Sequence, residues 1–129
     1  MARILVIDDE PSLNFLNVLL LKSIGMTDIE EKLSGTAGIE YLKECDKNNT
    51  FPELIFVDLN MTGMDGFMFL RQYEDNFLKY NDKARIIVLT NSILDREKDE
   101  AMKYPAVIDF WSKPLTKYKL QELLDKITP

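Results

Sequence analysis

Ala2-Arg3-Ile4-Leu5-Val6-Ile7-Asp8-Asp9 is an apolar run, broken only by Arg3, that stops at two adjacent carboxylates. A strand covered on both faces reads as continuous Val, Ile and Leu, whereas a half-buried strand alternates. The same signature returns at Leu54–Val57, ending in Asp58, and at Ile86–Leu89, ending in Thr90. A fourth run, Ala106–Trp111, is interrupted by Asp109 and followed by Lys113-Pro114. A more polar run at Ile29–Leu33 suits an edge strand. Helical stretches lie between, near Pro11–Ser23, Gly35–Asp46, Phe67–Tyr80, Asp95–Lys103 and Thr116–Ile127, with glycine and proline mostly at the joints. Strands alternating with helices in this way predict an α/β fold, a five-stranded parallel sheet with helices on both faces. Right-handed crossovers leave two open strand orders, of which 2-1-3-4-5 is the common one for five strands.

The 129 residues fit one domain, expected to occupy 1–129, since no repeat, low-complexity segment or linker interrupts them. The last helical pattern stops two residues before the end, so no output domain is expected. Sixteen Lys and Arg against 22 Asp and Glu give a formal charge of −6, which argues against a nucleic-acid partner. With no histidine and only Cys45, an intramolecular disulfide, a Cys-based zinc site, a His triad and His metal ligation are excluded. Cys45 falls in a helical pattern and is expected to be structurally incidental. Ile4–Ile7 runs straight into acidic residues, and no window approaches membrane-spanning length. Neither a signal peptide nor a membrane segment is expected, and a reducing cytoplasm is the natural compartment.

Open parallel sheets bind ligands beyond the carboxyl ends of their strands, so the residues that follow each run matter most. Asp8 and Asp9, Asp58, Thr90 and Lys113 therefore converge on one rim from four distant segments. Clustered carboxylates repel one another unless a cation intervenes. Oxygen ligands without His or Cys select Mg²⁺, Mn²⁺ or Ca²⁺, and Mg²⁺ commonly takes one or two carboxylates and bridges to phosphate. A carboxylate can itself accept a phosphoryl group, with a metal and a lysine neutralising the developing charge.

The chain is similar to the receiver domain of bacterial response regulators. The likeness is carried by Val6-Ile7-Asp8-Asp9-Glu10, Val57-Asp58-Leu59-Asn60-Met61, Met64-Asp65-Gly66, Val88-Leu89-Thr90 and Phe110-Trp111-Ser112-Lys113-Pro114, in order and at domain-wide spacing. The resemblance implies the flavodoxin-like receiver fold, order 2-1-3-4-5, and a stand-alone phosphoacceptor of two-component phosphorelay signalling. Asp58 would take the phosphoryl group. Asp9 and Asp58 would ligate Mg²⁺ with the backbone carbonyl of Asn60, and Asp8 would hold a metal-bound water. Thr90 would hydrogen-bond the phosphoryl group, Lys113 would pair with it, and Phe110 would turn inward on activation. The Lys113–Pro114 bond would be cis. The donor would be a sensor histidine kinase or a histidine phosphotransfer protein, and the output an unspecified downstream protein. Thr62 departs from the usual proline after the phosphoacceptor, and Asn91 from the usual smaller residue. Asn60 and Ser92 flank the expected phosphoryl position and are placed to tune hydrolysis.

Each residue alone has a plainer reading: Asp8-Asp9 as a helix N-terminal acidic pair, Asp58 as a turn residue, Thr90 as a strand end, Lys113 as surface, Phe110 as core. Their joint placement at four strand ends favours the site. The helix near Pro11–Ser23 carries no charge before Lys22, and its apolar residues occupy more than one face. It is expected to be well buried; the other reading is an apolar strip for a partner, which the resemblance would make the phosphodonor. Tyr118, Lys119 and Lys126 read as a solvated face. The enzymatic rival is a haloacid-dehalogenase-like phosphatase, loosely echoed by Asp58-Leu59-Asn60-Met61-Thr62, although Asn60 stands where that loop needs its second acid. A binding module that is never phosphorylated is a third reading, and the complete acidic set argues against it. Flavin binding is weaker still, because Asp8-Asp9-Glu10 would repel the phosphate.

Overall fold

A computed structural model of the chain describes residues 3–91 and 94–127. Strands β1 (Ile4–Ile7), β2 (Ile29–Lys32), β3 (Leu54–Asp58), β4 (Arg85–Thr90) and β5 (Val107–Ser112) alternate with helices α1 (Pro11–Ser23), α2 (Gly35–Asn48), α3 (Gly66–Phe77), α4 (Asp95–Met102) and α5 (Lys117–Ile127). The sheet is parallel in the order β2-β1-β3-β4-β5, as expected. β1, β3 and β4 are flanked on both sides, and their side chains are buried almost without exception. β2, IEEK in sequence, is an edge and is only half covered. That explains its polar character: an edge strand buries less and gains from charge that discourages pairing with another chain.

Period-two alternation divides the core into two layers. Leu5, Ile7, Ile55, Val57, Ile86 and Val88 face α2, α3 and α4, meeting Ile39, Leu42, Phe69 and Ala101. Ile4, Val6, Leu54, Phe56, Ile87, Leu89 and Trp111 face α1 and α5, meeting Leu21, Leu120 and Leu123. Phe110 packs with the first layer and Trp111 with the second, so these neighbours lie on opposite faces of β5.

Local chemistry sets the helix ends. Pro11 occupies the first turn of α1, where its missing N–H is no loss. The Ser34 hydroxyl caps α2 through Ala37 N, and the Asp65 carboxylate caps α3 through Met68 N. The helix expected over Phe67–Tyr80 is α3 followed by a 3₁₀ turn, Leu78–Tyr80. The larger difference is α1. Asn14 and Leu21 are its buried residues, whereas Phe15 is 59% exposed, Leu16 58% and Leu19 48%. The expectation of a well-buried helix is therefore corrected. α1 lies at the surface over β1 and presents leucine and phenylalanine to solvent.

Candidate functional site

Four strand ends build the rim. β1 ends at Ile7 and delivers Asp8 and Asp9 directly after it; β3 ends on Asp58, and β4 on Thr90. The Lys113–Pro114 peptide is cis, and after β5 Lys113 N donates to Thr90 O at 2.8 Å. Its Nζ lies 2.7 Å from Asp8 Oδ2 and 3.1 Å from Asp58 Oδ2, bridging two buried carboxylates. Asp8, Asp9 and Asp58 each bring a carboxylate oxygen within 4.8 Å of the others.

The remaining polar contacts hold these groups in place. Asp8 Oδ1 accepts from Glu10 N at 3.0 Å, and Asp58 Oδ1 accepts from Asn60 N at 3.2 Å. The Asn60 amide donates to Thr90 Oγ1 at 3.2 Å, which ties the loop after β3 to the end of β4. Asp9 Oδ2 accepts from Thr62 N at 2.9 Å. A proline at this position has no N–H to give, so Thr62 adds a tether between loop and carboxylate. The loop closes on Gly66, whose N–H donates to Leu59 O at 2.8 Å. A Cβ on Gly66 would lie 2.6 Å from Leu59 Cα and 2.9 Å from Asp58 O, so only glycine lets α3 start this close to the rim.

Burial pushes the Asp58 carboxyl above its usual range; Lys113 opposes this, and the Asp8 charge adds to it. For Lys113, burial pulls downward but is outweighed by the hydrogen bond to Asp8 and the charges of Asp58 and Asp8, so its ammonium is held above the usual value. Three carboxylates with one ammonium give the rim an acidic excess. All-oxygen donors of this kind suit a hard divalent cation.

The sequence-predicted residues Asp8, Asp9, Asp58, Asn60, Thr90 and Lys113 thus meet in one constellation. Phe110 is apart from it, half-buried on β5 and paired in register with Val88, two residues before Thr90. Ser92 lies outside the described residues. Lys119, read from sequence as part of a solvated face, instead places its ammonium 5.4 Å from the Trp111 ring centre. Sequence reasoning passed over Asn14, the buried polar residue of an apolar helix; its spacing from Leu21 on the core side was the available signal.

The family model of the response regulator receiver domain matches residues 4–125. The chain belongs to that family. A hybrid signal transduction histidine kinase, F, of Dictyostelium discoideum is 35% identical over 127 residues, which are 96% of this chain and 11% of the kinase. A nitrate/nitrite response regulator of Escherichia coli is 34% identical over 99 residues, 76% of this chain and 41% of that protein. The chain therefore spans well under half the length of either relative. A two-component response regulator structure from Cytophaga hutchinsonii superposes with a TM-score of 0.90 at 30% identity, covering 96% of this receiver and 94% of that chain. This receiver thus takes its place in two-component signalling, and the comparisons lend no support to the haloacid-dehalogenase alternative. Among the described residues no helix is long and apolar enough to cross a membrane.

Proposed function

We propose that this receiver, acting as one unit, accepts a phosphoryl group on Asp58 from a phosphohistidine donor and thereby switches a protein-binding face. The observation that carries the reading is the rim itself: three carboxylates whose oxygens lie within 4.8 Å, with the Lys113 ammonium set between two of them. Asp9, Asp58 and the Asn60 carbonyl would hold Mg²⁺, with Asp8 reaching it through water. When bound, Mg²⁺ supplies the positive charge that lets a carboxylate-rich site receive phosphate oxygens. An Asp58 carboxylate oxygen attacks phosphorus, the bond to the donor imidazole nitrogen breaks, and the electron pair leaves with that nitrogen. Lys113 stays paired with Asp8 and neutralises a phosphoryl oxygen; Thr90 Oγ hydrogen-bonds another. The chain catalyses only its own phosphorylation and dephosphorylation, in a reducing cytoplasm.

The donor, a sensor histidine kinase or histidine phosphotransfer protein, has a surface available. A groove of about 470 Å³ runs beside Lys113, lined by Leu13, Leu16 and Leu20 of α1 and by Pro114 and Leu115. The exposed strip of α1 continues it, and an apolar face of this size on a small protein favours a partner. On the output side, drawing the Thr90 hydroxyl toward the phosphoryl group releases its bond from Asn60 and vacates space toward which Phe110 moves. That reshapes the face of α4, β5 and α5, where Phe110 and Trp111 both line a groove with Lys98 and Lys119. Trp111 packs behind the sheet against Phe56, with ring centres 6.2 Å apart, and reads a shift of β5 through the backbone.

The test is phosphorylation by a small-molecule phosphodonor with Mg²⁺, read by intact mass. Wild type should gain one phosphoryl group and Asp58→Asn none; an unmodified wild type, or uptake that persists in Asp58→Asn, sinks the proposal. Beryllofluoride with Mg²⁺ should change Trp111 fluorescence, and Thr90→Ala should blunt the change. An identical Phe110 position in free and beryllofluoride-bound structures would refute the switch.

A further inference from the structure

Asn14 is fully buried on the core side of α1, in a helix whose other core contacts are apolar. Its amide Nδ2 donates to two backbone carbonyls, Lys32 O at 2.9 Å and Asp8 O at 3.1 Å. Its Oδ1 accepts no hydrogen bond among the described residues. A buried acceptor without a partner carries an uncompensated desolvation cost. A leucine would avoid that cost, so what Asn14 contributes lies with its donor end.

The two carbonyls sit where the β1–β2 ladder runs out. The last paired residues are Ile7 and Lys32, and the final rung is Asp8 N to Lys32 O at 3.2 Å. Among the described residues, the pairing of β1 with β3 also ends at Ile7, opposite Val57. The Asn14 amide supplies one more rung from the side, gripping both chains at their ends. The Asp8 carbonyl belongs to the peptide plane that joins Asp8 to Asp9. Fixing that plane fixes the two Cα atoms from which the carboxylates hang, and so narrows the directions in which they can be aimed.

We propose that Asn14 is a positioning residue for the acidic pair, holding the Asp8–Asp9 peptide so that both carboxylates meet a divalent cation together. The inference rests on the rim reading given under the proposed function. Groups that orient ligands from behind typically change metal affinity by about 10–100-fold when removed. The alternative is that Asn14 merely anchors α1.

Calorimetric titration of the intact chain with Mg²⁺ alone separates the two, at a temperature where circular dichroism shows every variant folded. Asn14→Leu removes the donor and should weaken Mg²⁺ binding roughly tenfold or more. Asn14→Asp keeps the shape and adds a negative charge, which by charge alone would strengthen cation binding. Weaker binding in that variant too would therefore report lost geometry. Wild-type affinity in both folded variants, with only a lower melting temperature, overturns the proposal. Should neither variant fold, nuclear magnetic resonance on wild type decides. The Asn14 side-chain amide protons should resist exchange and shift as Mg²⁺ is added; rapid exchange or unchanged shifts overturns it. A wild type that binds no Mg²⁺ instead removes the rim reading itself, an outcome distinct from wild-type binding that Asn14 fails to influence.

Discussion

The two ends of the sheet solve opposite problems. At the carboxyl end, Asp8, Asp58 and Thr90 are buried polar groups, and Lys113 is drawn in to partner the two carboxylates. At the amino end, Phe51 stacks flat on Tyr80, with ring centres 3.8 Å apart, and meets Phe77 at 5.3 Å and Tyr73 at 6.2 Å. At Asp58 the polar end works against stability. A carboxyl held above its ordinary range, as Asp58 is, disfavours the folded state once it ionises, because the unfolded chain carries that charge more readily. At the aromatic end the conflict is confined to the Tyr73 hydroxyl, and large rings are buried at favourable spacings. A domain can keep strained charge at one end when the other end holds the layers together.

The contrast is sharpest if the two ends can be damaged separately. Phe77 is buried among these rings, and Phe77→Ala should lower unfolding stability by about 3–5 kcal/mol in urea titrations. Phosphoryl uptake per folded molecule should be unchanged; a folded Phe77→Ala protein with impaired uptake would show that the ends are coupled. Tyr73→Phe should act in the other direction. The Tyr73 hydroxyl is buried without a hydrogen-bond partner among the described residues, and burial raises its ionisation far above the usual range. Removing it should stabilise the protein by about 1 kcal/mol. A loss of stability would mean that the hydroxyl has a partner, making the aromatic end less purely apolar.

The smallest effect is expected at the solvent edge of the same end. Tyr80 OH donates to Asp46 Oδ1 at 2.6 Å, and Lys79 lies 2.9 Å from the same oxygen. The hydrogen bond from Tyr80, then that from Lys79, holds the Asp46 carboxyl below its ordinary value. A depressed carboxyl contributes stability that is fully present above its unfolded pKa and is lost as pH falls through the folded one. Tyr80→Phe should therefore lower the melting temperature slightly at neutral pH, and the difference should shrink toward zero in acid. A difference that persists below the folded pKa of Asp46 would mean that the hydroxyl bonds the neutral carboxyl as well as the charged one. The ion pair with Lys79 is exposed, so salt should change little more than its own small share.

Much of the molecule was legible along the chain. Continuous apolar runs as short as those in β1, β3 and β4, bounded by turn residues, read as strands covered on both faces, and their alternation with helical stretches implies a parallel sheet between two helix layers. Residues just past those runs must gather at one rim, so Asp8, Asp9, Asp58, Thr90 and Lys113 could be named as neighbours from position alone. Tertiary structure decided what periodicity does not encode. The apolar residues of α1 occupy more than one face, a pattern equally suited to a buried helix and to one with a bare side; only its place at the surface over β1 exposes Phe15, Leu16 and Leu19. The donor end of Asn14 finds its carbonyls on two strands, the farther one 18 residues away, which helix spacing cannot foretell. Trp111 and Phe110 part to opposite layers because a strand alternates, yet what each ring meets is set by packing against distant helices. Local pattern specifies which groups stand at a strand's end; the distances that turn those groups into a site come from chain segments folding back from far away.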